Sequence, residues 1–371
     1  MDSALENIQI IKQYCDLHIM LELSPDSLNS TVMNLSGTKL ETGIHGLWDV
    51  LDDKSVSILR EYFNGVTEVN YVYYPSARMI TYANVKASFQ ILSYLKKHGI
   101  EAIHFDTISG RAMPILPFLF GKNLIATIHD PKPHKGEETL KRKLVDIVYY
   151  FSIKKYVFYS SYSLQEFKSI HSIIPTHLYT GSLLPYTYIT HFPSRKKISG
   201  DYILFFGRLS HYKGIDLLLD ALPFVFVKNP NIKVIIAGKG DKKYQFPTHL
   251  LQQQDRIQFI DSYLSISDLA GLIYNSKFVV CPYREATQSG VLMTAFALKK
   301  PVLATSVGAF PEYLNEHENG LLVLPDIISL ANGINTMLKN DYYHDLEMKM
   351  KKVNVSSKQK QNLELFSKLY A

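Results

Sequence analysis

The sequence predicts an α/β protein of two domains, each built on a parallel sheet. Three observations carry that expectation. The chain has 371 residues, a length better served by two cores than by one. From Asp201 to Val307 short apolar runs alternate with helical stretches, as in parallel strands joined by crossover helices. Ahead of that alternation lies Pro193-Ser194-Arg195-Lys196-Lys197-Ile198-Ser199-Gly200, basic and without period, which reads as a linker. The expected domains are residues 1–193 and 194–355.

Hydrophobic residues make up 46% and charged residues 20%, so a sizeable core is available and disorder is not suggested. Two cysteines, Cys15 and Cys281, cannot make a disulfide framework and fit a reducing compartment. No metal-ligand spacing of Cys or His appears, so no metal is expected. The opening Met1-Asp2-Ser3-Ala4-Leu5-Glu6 lacks the basic and apolar regions of a secretory signal, and no apolar run has the length of a membrane span. A net charge of +6, with 25 Tyr and 19 Phe, suits an anionic membrane face or a phosphorylated ligand. Nucleic acid is not expected, because no arginine-rich stripe or RNA-binding signature accompanies the charge.

In chain order, Ala4 to Tyr14 reads as a helix and Leu17 to Leu23 as a strand. A doubly wound domain ordinarily opens with a buried strand and a Gly-rich turn, so the first domain is expected to lack its usual first strand or to be built differently. Residues 28–67 show no strong period; His45 there, between Gly43 and Gly46, reads as a plain loop histidine, with a ligand-facing one as the alternative. Asn70 to Tyr74 is strand-like, and Ile80 to Lys97 an amphipathic helix closed by Gly99. Ala102 to Phe105 is a short strand, and Gly110 to Phe120 an irregular helix interrupted by Pro114 and Pro117. Asn123 to Ile128 is a buried parallel-type strand running into His129-Asp130-Pro131, with His134 and Lys135 just beyond. A histidine at the carboxyl end of a central strand lies where open α/β sheets bind ligands; its plain alternative is a helix-capping loop residue. Glu137 to Ser152 is basic and amphipathic, a solvated face by default and a membrane-facing one as the alternative.

The second domain begins with the strand Asp201 to Phe206 and the loop Gly207-Arg208-Leu209-Ser210-His211-Tyr212-Lys213-Gly214. An apolar helix, Ile215 to Val227, follows, then strands at Lys233 to Ala237 and Ile257 to Ile260, and a helix near Ser265 to Asn275. Phe278 to Cys281 leads into Pro282-Tyr283-Arg284-Glu285-Ala286-Thr287-Gln288-Ser289-Gly290, and a helix from Val291 to Leu298 carries the chain to Pro301-Val302-Leu303-Ala304-Thr305. Such a strand–loop–helix turn aims free N–H groups and a positive helix end at whatever sits above the strand, and a phosphate is the natural guest. The plain alternative is a crossover with no ligand. Arg208 and Lys213 leave an earlier strand of the same sheet. Together the planar fork and the mobile ammonium would neutralise a diphosphate without a metal, and would stabilise the charge that grows on it as a leaving group. That is a way to hold a nucleotide–sugar donor.

The ordered set Phe206-Gly207-Arg208-Leu209-Ser210 to Lys213-Gly214, Ile235-Ile236-Ala237-Gly238-Lys239-Gly240, Pro282 to Gly290, Lys300-Pro301-Val302-Leu303-Ala304-Thr305 to Val307-Gly308 with Pro311-Glu312, and Asn319-Gly320-Leu321-Leu322-Val323 resembles the donor domain of family 4 retaining glycosyltransferases of the GT-B fold. The likeness covers Tyr202 to Pro325; in the first domain it rests mainly on Ala126-Thr127-Ile128-His129. It implies two Rossmann-like domains facing a cleft, with a C-terminal helix over 356–371 returning to the first. It also implies a nucleoside-diphosphate sugar as substrate, no cofactor and no required metal. Carried over by position, Gly207, Arg208, Lys213, Gln288, Ser289 and Gly290 would bind the donor diphosphate. Thr294 and Asp261 would face the nucleoside, and His129 the transferred sugar. Where the family usually has two Glu, this sequence has Ala286 and Thr294; Glu285, one residue off, is the expected substitute for the first acid.

The expected activity is retaining transfer of a sugar to a glycan or lipid-linked glycan, cell-surface polysaccharide included. The expected place is cytoplasmic, at the inner face of the membrane. A GT-B epimerase and a non-catalytic partner subunit are the alternatives that the altered acid pair and the short amino terminus leave open.

Overall fold

The computed structural model describes residues 2–25, 28, 32–33, 35, 37–132, 140–171, 177–192, 200–240, 253, 255–315 and 318–370. The expected linker, apart from Gly200, lies outside the described residues, as do His134 and Lys135. The chain divides into two compact units: residues 1–159, 163–182 and 358–371, and residues 160–162 and 183–357. The second unit thus begins about ten residues before the expected boundary. The reason is local: Tyr188 and Ile189 are buried, and the Tyr186 N–H donates to the Met293 carbonyl at 3.4 Å, which ties this stretch to the second unit.

The first unit opens on α1 (Asp2–Ile11) and β1 (His18–Leu23), followed by β2 (Gly43–Gly46), α2 (Asp53–Phe63), β3 (Glu68–Tyr73) and α3 (Tyr82–Lys97). The stretch expected to lack a strong period thus holds a helix, α2, which buries Ser55, Ile58, Leu59, Tyr62 and Phe63 on one face and whose start is marked by Asp52 accepting from the Ser55 N–H at 2.7 Å. Thr81 caps α3 in the same way. Next come β4 (Ala102–Phe105), a 3₁₀ stretch at Gly110–Leu119, β5 (Asn123–Thr127), α4 (Leu140–Ser152), β6 (Lys155–Phe158), α5 (Ser161–Ile170) and β7 (His177–Thr180). Pro114 and Pro117 keep the 3₁₀ stretch from becoming an α-helix, because neither can donate to an i−4 carbonyl.

Among the described residues these strands form two sheets. One runs β1-β3-β2, with β1 parallel and β2 antiparallel to β3; the other, β4-β5-β6-β7, is wholly parallel. A core of Ile115, Leu116, Leu119, Ala126, Tyr149 and Phe158 packs on the parallel sheet.

The second unit contains β8 (Tyr202–Phe206), α6 (Ile215–Lys228), β9 (Lys233–Gly238), β10 (Ile257–Asp261), α7 (Ile266–Asn275) and β11 (Val279–Cys281). It continues through α8 (Gly290–Ala297), β12 (Val302–Thr305), α9 (Phe310–Tyr313), β13 (Gly320–Val323), α10 (Ile327–Met337) and α11 (Asn340–Lys352). Its strands lie in the order β10-β9-β8-β11-β12-β13, every neighbouring pair parallel. Counted within the unit this is 3-2-1-4-5-6, the doubly wound order. All five residues of β8 and all four of β12 are buried, as strands covered on both faces require.

The last helix, α12 (Ser356–Tyr370), belongs from Lys358 onward to the first unit. It is polar overall but buries Asn362, Leu365, Phe366 and Leu369 on one face. The Asn362 amide donates to Asn7 Oδ1 at 3.1 Å and to the Ser182 carbonyl at 2.8 Å, and accepts from the Ser182 N–H at 2.8 Å. A buried amide with its partners met seats the helix in one register.

Candidate functional site

In a sheet of order 3-2-1-4-5-6 the chain leaves strands 1 and 4 in opposite directions, and ligands bind outside the carboxyl ends of the strands at that point. Here those strands are β8 and β11. The loop after β8 carries Gly207, Arg208 and Lys213; the loop after β11 carries Glu285, Gln288 and Ser289, and ends at Gly290. Most of the expected donor-site residues are therefore brought together by the topology alone.

The two loops are locked to each other. The Arg284 N–H donates to the Tyr212 carbonyl at 2.8 Å. The Arg284 guanidinium takes both oxygens of Asp216, at 2.7 and 2.8 Å, and donates to the His211 carbonyl at 3.3 Å. Burial raises the Asp216 carboxyl, but this bidentate partner outweighs it and the net shift is downward. A third cation of the region is thus spent on bracing, a role that no sequence spacing announced. Gly214, at φ +66°, ends the short turn His211–Lys213 and starts α6. A Cβ there would stand 1.9 Å from the Pro282 carbonyl oxygen, so only glycine lets the loops approach this closely. Gly308, at φ +54°, does the same for the loop after β12: its Cβ would stand 1.8 Å from the Ala286 carbonyl oxygen, and the Ala309 N–H donates to that oxygen at 2.8 Å.

On this frame Arg208 is exposed, two residues beyond the end of β8. Lys213 is 9% exposed. Its ammonium lies 3.9 Å from the Tyr283 ring centre and 5.1 Å from that of Tyr212. Ring faces attract an ammonium through their quadrupole, and these two rings fix where the Lys213 charge sits. The buried Cys281 thiol next in line is pushed up to about 12 by burial, against the pull of Lys213, and stays a thiol at neutral pH. The Ser210 hydroxyl, in the same loop, is buried with no hydrogen-bond partner among the described residues.

Ser289 is the N-cap of α8 and accepts from the Leu292 N–H at 3.3 Å. Its hydroxyl is spent on the helix, and the first N–H groups of α8 are left to point out of the helix end. Gln288 and Glu285 are half-buried, and Gly290 is exposed. Thr294 is buried, and its hydroxyl donates to the Gly290 carbonyl at 2.7 Å. Asp261 is exposed at the carboxyl end of the edge strand β10, in register with Gly238. One strand, β9, lies between it and β8, so the two are two spacings apart, about 10 Å.

In the first unit His129 stands two residues beyond β5, its Nε2 3.4 Å from Asp106 Oδ1. Burial alone would raise the Asp106 carboxyl; His129 beside it outweighs burial and the carboxyl falls to about 2. His104 Nε2 lies 2.8 Å from Thr127 Oγ1, and burial holds that imidazole down at about 4, hence neutral at pH 7. The residues that sequence reasoning passed over are His104 and Asp106. A signal was present: His104-x-Asp106 and Thr127-x-His129 alternate on adjacent strands, and a period of two puts all four on one face.

Residues 200–340 match the protein family described as "Glycosyl transferases group 1". Over 141 residues the chain is 30% identical to an uncharacterized glycosyltransferase of Methanocaldococcus jannaschii, covering 37% of this chain and 36% of that one. It is 32% identical over 146 residues to a phosphatidyl-myo-inositol mannosyltransferase of Mycobacterium leprae, covering 38% of each. The matched stretch thus spans little more than a third of these curated relatives. The fold resembles that of Anabaena HepE in complex with UDP-glucose, with a TM-score of 0.64 at 16% identity over 100% of this chain and 94% of that one. A sucrose-phosphate synthase of Thermosynechococcus elongatus gives 0.63 at 15% identity over 95% and 99%. The architecture is that of the GT-B glycosyltransferases. The family match falls within the second unit.

Proposed function

We propose that the chain is a retaining glycosyltransferase that moves a sugar from a nucleoside-diphosphate sugar to a glycan or lipid-linked glycan. The observation that carries this is the pairing of the Arg208–Lys213 loop and the α8 amino end across the switch point of a doubly wound sheet. In transfer, an acceptor oxygen replaces the diphosphate oxygen on the anomeric carbon. The bonding pair leaves with the diphosphate, and the acceptor gives up a proton. Arg208, Lys213 and the N–H groups at Ser289 and Gly290 would meet the charge that grows on the leaving group, with Gln288 beside them. Gly207 keeps the loop clear of a side chain at the strand end. His129 would hold a sugar hydroxyl, and Glu285 takes the part of the displaced acid. Asp261, and Thr294 through its free acceptor capacity, would serve the nucleoside. The HepE structure bound to UDP-glucose supports the donor class, and the mannosyltransferase relative supports a lipid-linked acceptor.

No metal is assigned to the donor site, because its charge is met by cations; turnover should be the same with or without added magnesium or manganese. Among the described residues no helix is long and apolar enough to cross a membrane. Leu144 and Ile147, each 54% exposed, and Phe151, 74% exposed, lie on one face of α4. They support peripheral contact with a membrane, which we place at its cytoplasmic face.

One observation favours a second reading, a non-catalytic partner subunit. Ala286 is buried with its carbonyl taken by the Ala309 N–H, and the Thr294 hydroxyl donates within its own helix, so neither position supplies an acid. Incubation with a panel of nucleotide sugars separates the two. Release of nucleoside diphosphate supports the enzyme. Binding with no release under any acceptor supports the subunit, and neither binding nor release ends both.

A further inference from the structure

Away from the donor site, three residues far apart in sequence meet at the amino ends of β1 and β3. His18 opens β1, Glu68 opens β3, and the two are cross-strand partners in the ladder. His98 is the C-cap of α3, held there by its N–H to the Tyr94 carbonyl at 3.0 Å. Glu68 Oε2 lies 3.7 Å from His18 Nδ1 and 3.8 Å from His98 Nε2, and the three atoms are all within 4.8 Å of one another.

Those separations are too long for direct hydrogen bonds between carboxylate and imidazole. They are near what an ion imposes: tetrahedral zinc, with its ligands at about 2.1 Å, sets them about 3.4 Å apart. We propose that His18, Glu68 and His98 form a binding site for a divalent transition ion, zinc foremost. Two imidazoles and one carboxylate are a zinc set, and nitrogen ligands disfavour magnesium and calcium.

The surroundings fit such a site. The Tyr94 hydroxyl donates to Glu68 Oε2 at 2.8 Å, an outer-shell contact that orients the ligand. With its one proton given to Glu68, Tyr94 accepts from His18 Nδ1 at 2.7 Å. The ion replaces that Nδ1 proton, and the ring shifts to its other tautomer. The Tyr94 ring also stacks on His98 at 4.3 Å between centres, which fixes the third ligand. The His18 and His98 side chains are 13% and 23% exposed, and Glu68 is 41% exposed, so the fourth position opens to water. Ligands on two paired strands and a helix end are held by rigid elements. Because α/β sheets bind substrates at the carboxyl ends of their strands, an ion at the amino ends is a structural tie between sheet and helix.

The test uses the full chain, stripped with a chelator and dialysed. Titration with zinc chloride by calorimetry should show one saturable site per chain, and zinc should raise the unfolding temperature. His18→Gln, Glu68→Gln and His98→Gln should each weaken binding by more than the roughly tenfold lost with an outer-shell partner. The metal-free variants should keep the wild-type circular dichroism. If the histidine variants fail to fold, Glu68→Gln, the most exposed of the three, decides alone. No saturable zinc binding by the folded wild type, or wild-type affinity in Glu68→Gln or in the His18→Gln, His98→Gln double variant, overturns the site.

Discussion

Gly214→Ala tests whether the donor loops are locked as described. Two costs add at this position. Alanine at φ +66° carries a left-handed backbone penalty of about 1 kcal/mol. Its Cβ would also meet the Pro282 carbonyl oxygen at 1.9 Å, far inside any tolerated contact. The β11 loop must retreat by about 1 Å, which strains or breaks the Arg284 N–H bond to Tyr212, worth about 1 kcal/mol. A total near 2 kcal/mol should lower the melting temperature of a unit this size by about 4–8 °C. Gly99→Ala is the control: its φ is +62°, but a Cβ there meets nothing within 4 Å, so only the backbone penalty applies. Calorimetric melting of both variants, with nucleoside-diphosphate titration of each, reads the difference. Equal small shifts, with donor affinity untouched in Gly214→Ala, would refute the locked loops.

Three further outcomes follow from the site. The Asp106 carboxyl, at about 2 when folded against 3.8 ordinarily, contributes stability that is present above pH 4 and lost as pH falls toward 2. Asp106→Asn should therefore remove about 2 kcal/mol near pH 5 and flatten acid denaturation between pH 4 and 2; an unchanged acid limb would contradict the His129 pairing. His129→Ala should lower turnover about tenfold to a hundredfold yet spare nucleoside-diphosphate affinity, since the clamp lies wholly in the second unit; lost nucleotide binding with normal transfer at saturation would assign His129 elsewhere. Glu285→Gln should cut the rate more than Thr294→Ala, whose hydroxyl is engaged within α8, and the opposite ranking in steady-state assays would sink Glu285 as the acid.

The second unit was legible because parallel strands buried on both faces read as continuous apolar runs, and β8, β9, β11 and β12 each stand where such a run does. Arg208, Lys213 and the loop ending at Gly290 followed from strand ends, and the sheet order put them on either side of one point. Pairings between distant residues were not legible. Nothing in the spacing of Asp216 and Arg284 reveals a brace, and the aromatic bed of Lys213 depends on Tyr283, seventy residues on. His18, Glu68 and His98 escaped a search for metal spacing because that search looks along one segment, whereas these ligands come from two strands and a helix end. In the first unit α2 was legible but passed over: Ser55, Ile58, Leu59, Tyr62 and Phe63, all buried, recur at helical spacing behind the Asp52 cap.

The central claim is that the Arg208–Lys213 loop and the α8 amino end hold the diphosphate of a sugar donor. Isothermal titration of the wild type and of Arg208→Ala with uridine, guanosine and adenosine diphosphates tests it most directly. The account predicts saturable binding of at least one of them without added metal, weakened about tenfold to a hundredfold by Arg208→Ala, as loss of a charged hydrogen bond requires. Failure of all three to bind the folded wild type, or equal affinity in Arg208→Ala, would contradict it.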